Sequence, residues 1–583
     1  MAHPRCGGPH RNRGTRRTRQ HLHRGLRRPR PPDRPPQDMA AAAEDRAGGA
    51  ATVARLSVEA LRALGVDTLF CLPGVQNDDF FDALVDARDI RPVVTRHEQG
   101  AAYMALGAAQ VTARPAALCV VPGPGMLNAA AGLTSAYWGN ARVLALIGAV
   151  PSGLRGLSTG ILHDLPDPAA VLRQLTKHTG YVGGGIEAAS VWQQAIDALI
   201  SGVPRPVAVE VPVDVWSQPA DGVLEAPRAT KPAIDTDRIE QAARVLGQAR
   251  RPLIVVGGGA QDASEPVRQL AEMLEAPVYA RHMGLGVMDT RHRLHAYLTV
   301  GRDLWPTSDV VLGVGTRMEF PNVEWGVDPA QTIVQVNIDA DELDRYGAGT
   351  VGVHGDAAEA CRLLIDALGR HNRRRDDRTG EIAGLRARHL ERIAYLEPQL
   401  SYLRAIRSVL PDDGIIVEDM TQVAFVAHIG YEHRRPRTFL STGGAGTLGA
   451  GVAHGMGAAA AAPDRAQVTI TGDGGMLFTA TELATAVQHG INTTVLLFDN
   501  AGYANVQRLQ RQRFGPDRTI ASALRNPDWV AFGESFGVRT ERAGSPDDLP
   551  QALEGSLAHP GPSMVVVDTA DEPDPWPLMR LRR

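Results

Sequence analysis

The stretch from Thr471 to Tyr503 constrains the fold of this chain more than any other. It reads T-G-D-G-G-M-L-F-T-A-T-E-L-A-T-A-V-Q-H-G-I-N-T-T-V-L-L-F-D-N-A-G-Y. The apolar run Val468-Thr469-Ile470 opens it as a buried strand, and a glycine-rich turn, Gly472-Asp473-Gly474-Gly475, follows. The spacing through Glu482-Leu483-Ala484 and Ala486-Val487 is helical, and Thr494-Val495-Leu496-Leu497-Phe498 is a second strand ending at Asp499-Asn500. Strand, turn, helix, strand is one βαβ unit, so the two strands are parallel. Parallel sheets bind ligands beyond the carboxyl ends of their strands, which sets Asp473 and Asn500 across a small gap. Glycines let backbone N–H groups approach a phosphate, and a helix N-terminus favours its charge. A carboxylate, an amide oxygen and a carbonyl suit Mg²⁺ bridging to phosphate oxygens. The unit predicts a metal–diphosphate site. A lone G-D-G reads equally as a tight turn in a sheet that binds nothing. G-D-G, then 24 residues, then D-N between two strands is far more specific.

At 583 residues the chain holds three or four domains. No apolar run approaches a membrane span. Four scattered cysteines, Cys6, Cys71, Cys119 and Cys361, form no C-x-x-C pair, which argues against a zinc site or a disulfide framework and fits a reducing cytoplasm. The first 38 residues carry eleven Arg, many Pro and little that is apolar; removing them takes the net charge from −4 to −13. Such a segment cannot bury enough surface to fold, so disorder is expected over residues 1–50. A nucleic-acid arm and a transit peptide are alternatives to the favoured reading, translation from Met39. The acidic body argues against nucleic-acid binding.

Strand and helix patterns alternate from Val53 to the end, which implies an α/β chain of three consecutive doubly wound parallel sheets. The expected domains are 51–220, 231–370 and 399–583, with a linker and helix at 371–398. The linker's charged run, His371–Arg378, reads as a solvated connector. In the first domain, strand Pro92–Thr95 ends at Arg96-His97-Glu98-Gln99-Gly100. Glu98 on its own is an ordinary first-turn acid favoured by the helix dipole. In the middle domain, Gly257-Gly258-Gly259 follows a strand, weak evidence for a dinucleotide because close helix packing needs the same residues. In the third, Ser441–Gly451 is a glycine-rich run that allows tight helix–sheet packing.

Together these segments resemble the thiamine diphosphate-dependent decarboxylase and carboligase superfamily, nearest to the acetolactate synthase large-subunit group. The resemblance runs from about Val53 to Trp576 and includes R-H-E-Q-G-A-A-Y-M-A, the D-N motif, the tail Pro573–Trp576 and Gln174–His178. It implies pyrimidine-binding, central and diphosphate-binding domains in that order. It assigns Asp473, Asn500 and the main-chain oxygen of Gly502 to Mg²⁺, although the usual N-N ending is here Asp499-Asn500. It makes Glu98 the carboxyl group that meets the aminopyrimidine and activates the cofactor. Gly472, Gly474 and Gly475, with Thr421 and Gln422, fall to the diphosphate side. Leu448 becomes the apolar prop under the cofactor, and the Gly446 carbonyl the acceptor for its amino group. An obligate homodimer, usually doubled to a tetramer, is implied, with Glu98 of one subunit serving the cofactor held by another.

Departures bear on substrate. Leu509 stands where acetolactate synthases carry Trp, His163-Asp164-Leu165 where they carry F-Q-E, and Val75 where pyruvate decarboxylases carry Asp. The segments associated with FAD are replaced by His282-Met283-Gly284-Leu285 and Arg317-Met318-Glu319-Phe320, so FAD is possible but not favoured. Val75, Gln76, Gln99, Asn128, Tyr503 and Asn505 are candidates for the substrate side, with loop or packing roles as the alternative. The expected activity is decarboxylation of a 2-oxo acid followed by carboligation to a second carbonyl. Non-ligating decarboxylation, 1,2-diketone cleavage and a non-catalytic scaffold that binds the cofactor are the alternatives.

Overall fold

In the computed structural model, residues 51–326, 328–343, 345, 350–570 and 572–579 are described. The expectations for residues 1–50 lie outside them. Three six-stranded sheets follow one another along the chain, and every strand pair in them is parallel. The three doubly wound sheets read from the sequence are therefore present.

The first sheet contains β1 (Thr68–Cys71), β2 (Arg91–Val94), β3 (Ala116–Val120), β4 (Val143–Ala149), β5 (His178–Tyr181) and β6 (Val207–Pro212), in the order β2-β1-β3-β4-β6-β5. The middle sheet contains β7 (Leu253–Val256), β8 (Val278–Ala280), β9 (His295–Ala296), β10 (Val310–Val314), β11 (Thr332–Asn337) and β12 (Thr350–His354). Its order, β9-β8-β7-β10-β11-β12, is that of the dinucleotide-binding fold. The third contains β13 (Ile415–Glu418), β14 (Phe439–Leu440), β15 (Gln467–Gly472), β16 (Thr494–Asp499), β17 (Arg539–Ala543) and β18 (Ser563–Asp568), ordered β14-β13-β15-β16-β18-β17. The first and third sheets thus share one topology. Their central strands are buried because both faces are covered by helices: all seven residues of β4 are buried, and β15 alternates buried Val468 and Ile470 with buried threonines.

The first and third sheets share one apolar core, and the middle and third share another. The first of these cores is closed by helix Glu98–Thr112 crossing helix Gly451–Ala461. Glycines make the crossing possible. A Cβ on Gly107 would lie 2.0 Å from the His454 carbonyl oxygen, and one on Gly457 would lie 2.0 Å from that of Met104. The buried Gln110 bridges the same contact, donating Nε2 to the Ser441 carbonyl while its Oε1 meets His454 Nε2 at 2.8 Å.

Two local expectations need adjustment. The His371–Arg378 run is an irregular, mostly exposed connector, but not all of its charge is solvated. Arg375 donates to the carbonyls of Leu246, Gly247 and Ala249, satisfying the free end of helix Thr236–Gln248, and the buried Arg378 donates to Pro252. The guanidinium groups thereby fasten the segment to the middle domain. Nor is Gly472–Gly475 a free turn: helix Asp473–Thr479 starts at once, with Gly474 and Gly475 in its first turn, and a second helix, Glu482–His489, follows. No described helix is long and apolar enough to cross a membrane.

Candidate active site

The carboxyl ends of β13, β15 and β16 gather the polar residues of the third domain. Asp473 is buried, and its Oδ2 accepts from the backbone N–H of Gly502 at 2.9 Å and from Asn526 Nδ2 at 2.8 Å. Burial, chiefly, and the nearby Asp499 charge push its carboxyl above the usual range, against the pull of Asn526. Asp499 accepts from three donors: Ala501 N at 2.9 Å, Asn526 Nδ2 at 2.7 Å and Trp529 Nε1 at 2.7 Å. An amide here would set its own NH₂ against one of these donors, which gives the departure from N-N a structural basis. Asn500 Oδ1 is buried and has no hydrogen-bond partner. Two carboxylates and an unsatisfied amide oxygen form an acceptor-rich cluster, which a divalent cation would complete.

The surrounding backbone is shaped for close approach. A Cβ on Gly474 would lie 2.7 Å from the Tyr503 ring, and one on Gly475 would lie 2.9 Å from Asp419 Oδ2. Thr421 caps helix Gln422–Gly430 by accepting from Ala424 N, and Gln422 is buried with its Oε1 unpartnered. Gly446 has φ +56°, with open space around its missing side chain, and Leu448 beside it is half-buried. Asn505, by contrast, is committed: its Oδ1 accepts from Trp576 Nε1 at 2.9 Å and from Arg508. That tie anchors the C-terminal Pro573–Trp576 segment.

The first domain brings together a second group. Glu98 begins helix Glu98–Thr112, is 7 % exposed, and accepts from Asn128 Nδ2 at 3.0 Å through Oε2. Its Oε1 lies over Gly125, where a Cβ would be 3.3 Å away. Gln76 is buried, with Oε1 3.2 Å from His163 Nδ1. The backbone of His163 packs on Gly123, whose φ of +58° and 2.6 Å clearance to the His163 carbonyl exclude a side chain. Gln99 donates to the Tyr103 hydroxyl at 3.4 Å, and Val75 is exposed.

Residues that the sequence reading missed hold these groups in place. Fully buried Asp419 accepts from Met420 N, Gly449 N, Gly451 N and Thr471 Oγ1, pinning the glycine-rich run to β15. Glu482 is also buried; it accepts the backbone N–H groups of Arg96 and His97 and the Thr485 hydroxyl. Its carboxylate therefore ties the backbone just before Glu98 to the third domain. Neither residue stands in a glycine motif, and the only sequence signal was their place, one after a strand and one at a helix start.

The domains that carry these two groups match known protein families. Residues 51–171 match the thiamine pyrophosphate enzyme N-terminal TPP binding domain, 239–364 the central domain and 419–567 the C-terminal TPP binding domain. The chain belongs to the thiamine pyrophosphate enzyme family. Among its relatives, a probable 2-ketoarginine decarboxylase of Pseudomonas aeruginosa is 30 % identical, with 88 % of this chain and 93 % of the relative covered. The acetolactate synthase large subunit of Corynebacterium glutamicum is 29 % identical, over 91 % and 88 %. Acetolactate synthase isozyme 1 large subunit of Escherichia coli is 27 % identical, over 91 % and 96 %. Membership of the acetolactate synthase-like superfamily thus agrees with the motifs.

Proposed function

We propose that this protein decarboxylates a 2-oxo acid and joins the remaining acyl unit to a second carbonyl compound, using thiamine diphosphate and Mg²⁺. The observation that carries this reading is the buried, unpartnered Asn500 Oδ1, next in sequence to the Asp499 that shares the Asn526 amide with Asp473. Asp473, Asn500 and the Gly502 carbonyl would hold the metal. Thr421, Gln422, Gly472, Gly474 and Gly475 line the diphosphate side. Gly446 and Leu448 would meet the aminopyrimidine, and Glu98, oriented by Asn128, would exchange a proton with its ring nitrogen. When bound, thiamine diphosphate supplies the electron sink for the pair released as carbon dioxide leaves. Overall, the bond between carboxylate and carbonyl carbon breaks, and a new carbon–carbon bond forms to the acceptor.

Exposed apolar side chains flank both half-sites: Leu127 beside Asn128, and Leu477 and Phe478 after Asp473. They support a homodimer, or a tetramer built from it, in which Glu98 of one subunit meets the cofactor of the next. Buried, unpaired Cys71, Cys119 and Cys361 fit a reducing cytoplasm.

A second reading, decarboxylation without ligation, is favoured by the likeness to a probable 2-ketoarginine decarboxylase and by the exposed Leu509. Product analysis with pyruvate, branched 2-oxo acids and a guanidino 2-oxo acid separates the two. A ligated hydroxyketone supports the first reading. An aldehyde released in amounts equal to carbon dioxide supports the second. No carbon dioxide from any acid would overturn both, leaving diketone cleavage or a scaffold role.

A further inference from the structure

A second cluster of metal-type ligands lies where the middle domain meets the third. His282 follows β8, Glu418 ends β13, and His428 lies on helix Gln422–Gly430. One ligand atom from each falls within 4.8 Å of the other two. Glu418 Oε2 is 2.6 Å from His428 Nε2, while Glu418 Oε1 accepts from Ser441. The rings of His282 and His428 meet edge to face, with centroids 5.0 Å apart, and Phe439 covers the other side of His428 at 5.1 Å.

Three observations point to a missing ligand. The buried Nδ1 atoms of both His282 and His428 have no hydrogen-bond partner. His282 holds φ at +48°, a backbone state that a residue with a Cβ adopts at a cost and that often marks a functional position. The imidazole also lines a cavity of about 360 Å³ at the switch point of the middle sheet, beside Gly258, Thr316 and Gly443, which gives an ion a route in.

We infer that His282, Glu418 and His428 form a binding site for a divalent transition-metal ion of the zinc class, separate from the oxygen-lined cluster at Asp473. Two imidazoles and one carboxylate are a donor set for Zn²⁺ or Co²⁺ rather than Mg²⁺. Bonds near 2 Å space tetrahedral ligands by roughly 3.3 Å, so modest side-chain rotations close the set. The fourth position faces the cavity. A bound ion ties β8 of the middle domain to β13 of the third. Through Ser441, it also steadies the start of the glycine-rich run.

The test is Co²⁺ binding to the full chain after chelation and reloading with thiamine diphosphate and Mg²⁺, read by visible absorption and by metal analysis after gel filtration. The expected result is one Co²⁺ per chain with low-symmetry d–d bands. His282→Asn, whose side chain tolerates the left-handed backbone, and Glu418→Gln each lower the affinity at least tenfold, while Asp473→Ala leaves the bands unchanged. Circular dichroism identifies any variant that has lost its fold. No stoichiometric Co²⁺, bands that survive His282→Asn in a folded protein, or bands lost with Asp473→Ala would each overturn the assignment. The Asp473→Ala arm keeps the inference independent of the proposed activity.

Discussion

The first and third sheets have the same strand order and opposite chemistry. In each, a helix enters from the edge-strand side, Glu98–Thr112 after β2 and Gly451–Ala461 after β14, and the two helices cross through glycine. In each, a tryptophan after the last strand donates its indole N–H: Trp216 to the Gln76 carbonyl, Trp576 to Asn505. Yet the third domain gathers acceptors and glycines at its strand ends, which we propose serve a cation and a phosphate. The first offers Glu98, a buried carboxyl group held by Asn128. Topology supplies two equivalent clefts, and the residues at the strand ends decide what each can hold.

The largest expected effect comes from removing the third domain's binding group. Asp473→Ala deletes the acid at the centre of the proposed cation site, and calorimetry should show Mg²⁺-dependent thiamine diphosphate binding weakened at least 100-fold. The same substitution leaves the Glu98–Asn128 pair of the first domain intact.

The contact that relates the two halves is next. Gly457→Val forces side-chain atoms into the Met104 carbonyl, which cannot yield without parting the helices. The overpacking cost is about 1–3 kcal/mol or more, seen as a lower Tm and a shift toward dissociated or aggregated protein on gel filtration. An unchanged Tm would show that the crossing is looser than the glycines imply.

The smallest effect depends on pH and belongs to the third domain alone. Burial without a partner pushes Glu572, on the segment after β18, up to about 7. A carboxyl group raised on folding favours the folded state while protonated. That advantage is fully present below its ordinary value of 4.5 and is lost as pH rises through about 7. Glu572→Gln should therefore raise Tm at pH 8 by a few degrees, with the gain shrinking toward pH 5. Thermal melts across that range check it.

Much of this was legible in the residues. Strands β4 and β16 are apolar along most of their length, and β15 sets Val468 and Ile470 between threonines, so their existence was readable, and the glycines with Asp473 and Asn500 marked the strand ends where the acceptor-rich cluster lies. The short strands β9, β14 and β17 carry too few apolar residues to stand out; they exist because an edge of a sheet was available. Asp419 and Glu482 were hidden for a different reason. Each serves backbone N–H groups far away in sequence, a requirement that no local pattern encodes. The Arg375 and Arg378 side chains looked like solvated charge until the carbonyls they satisfy came into view.

The central claim is that the first domain contributes chemistry and the third contributes binding. Glu98→Gln tests it directly when cofactor affinity and carbon dioxide release from the best 2-oxo acid are measured on the same preparation. The account predicts thiamine diphosphate affinity within a few-fold of the parent protein and a rate lowered about 100-fold or more. An unchanged rate, or a rate that falls only as far as cofactor affinity does, would contradict it.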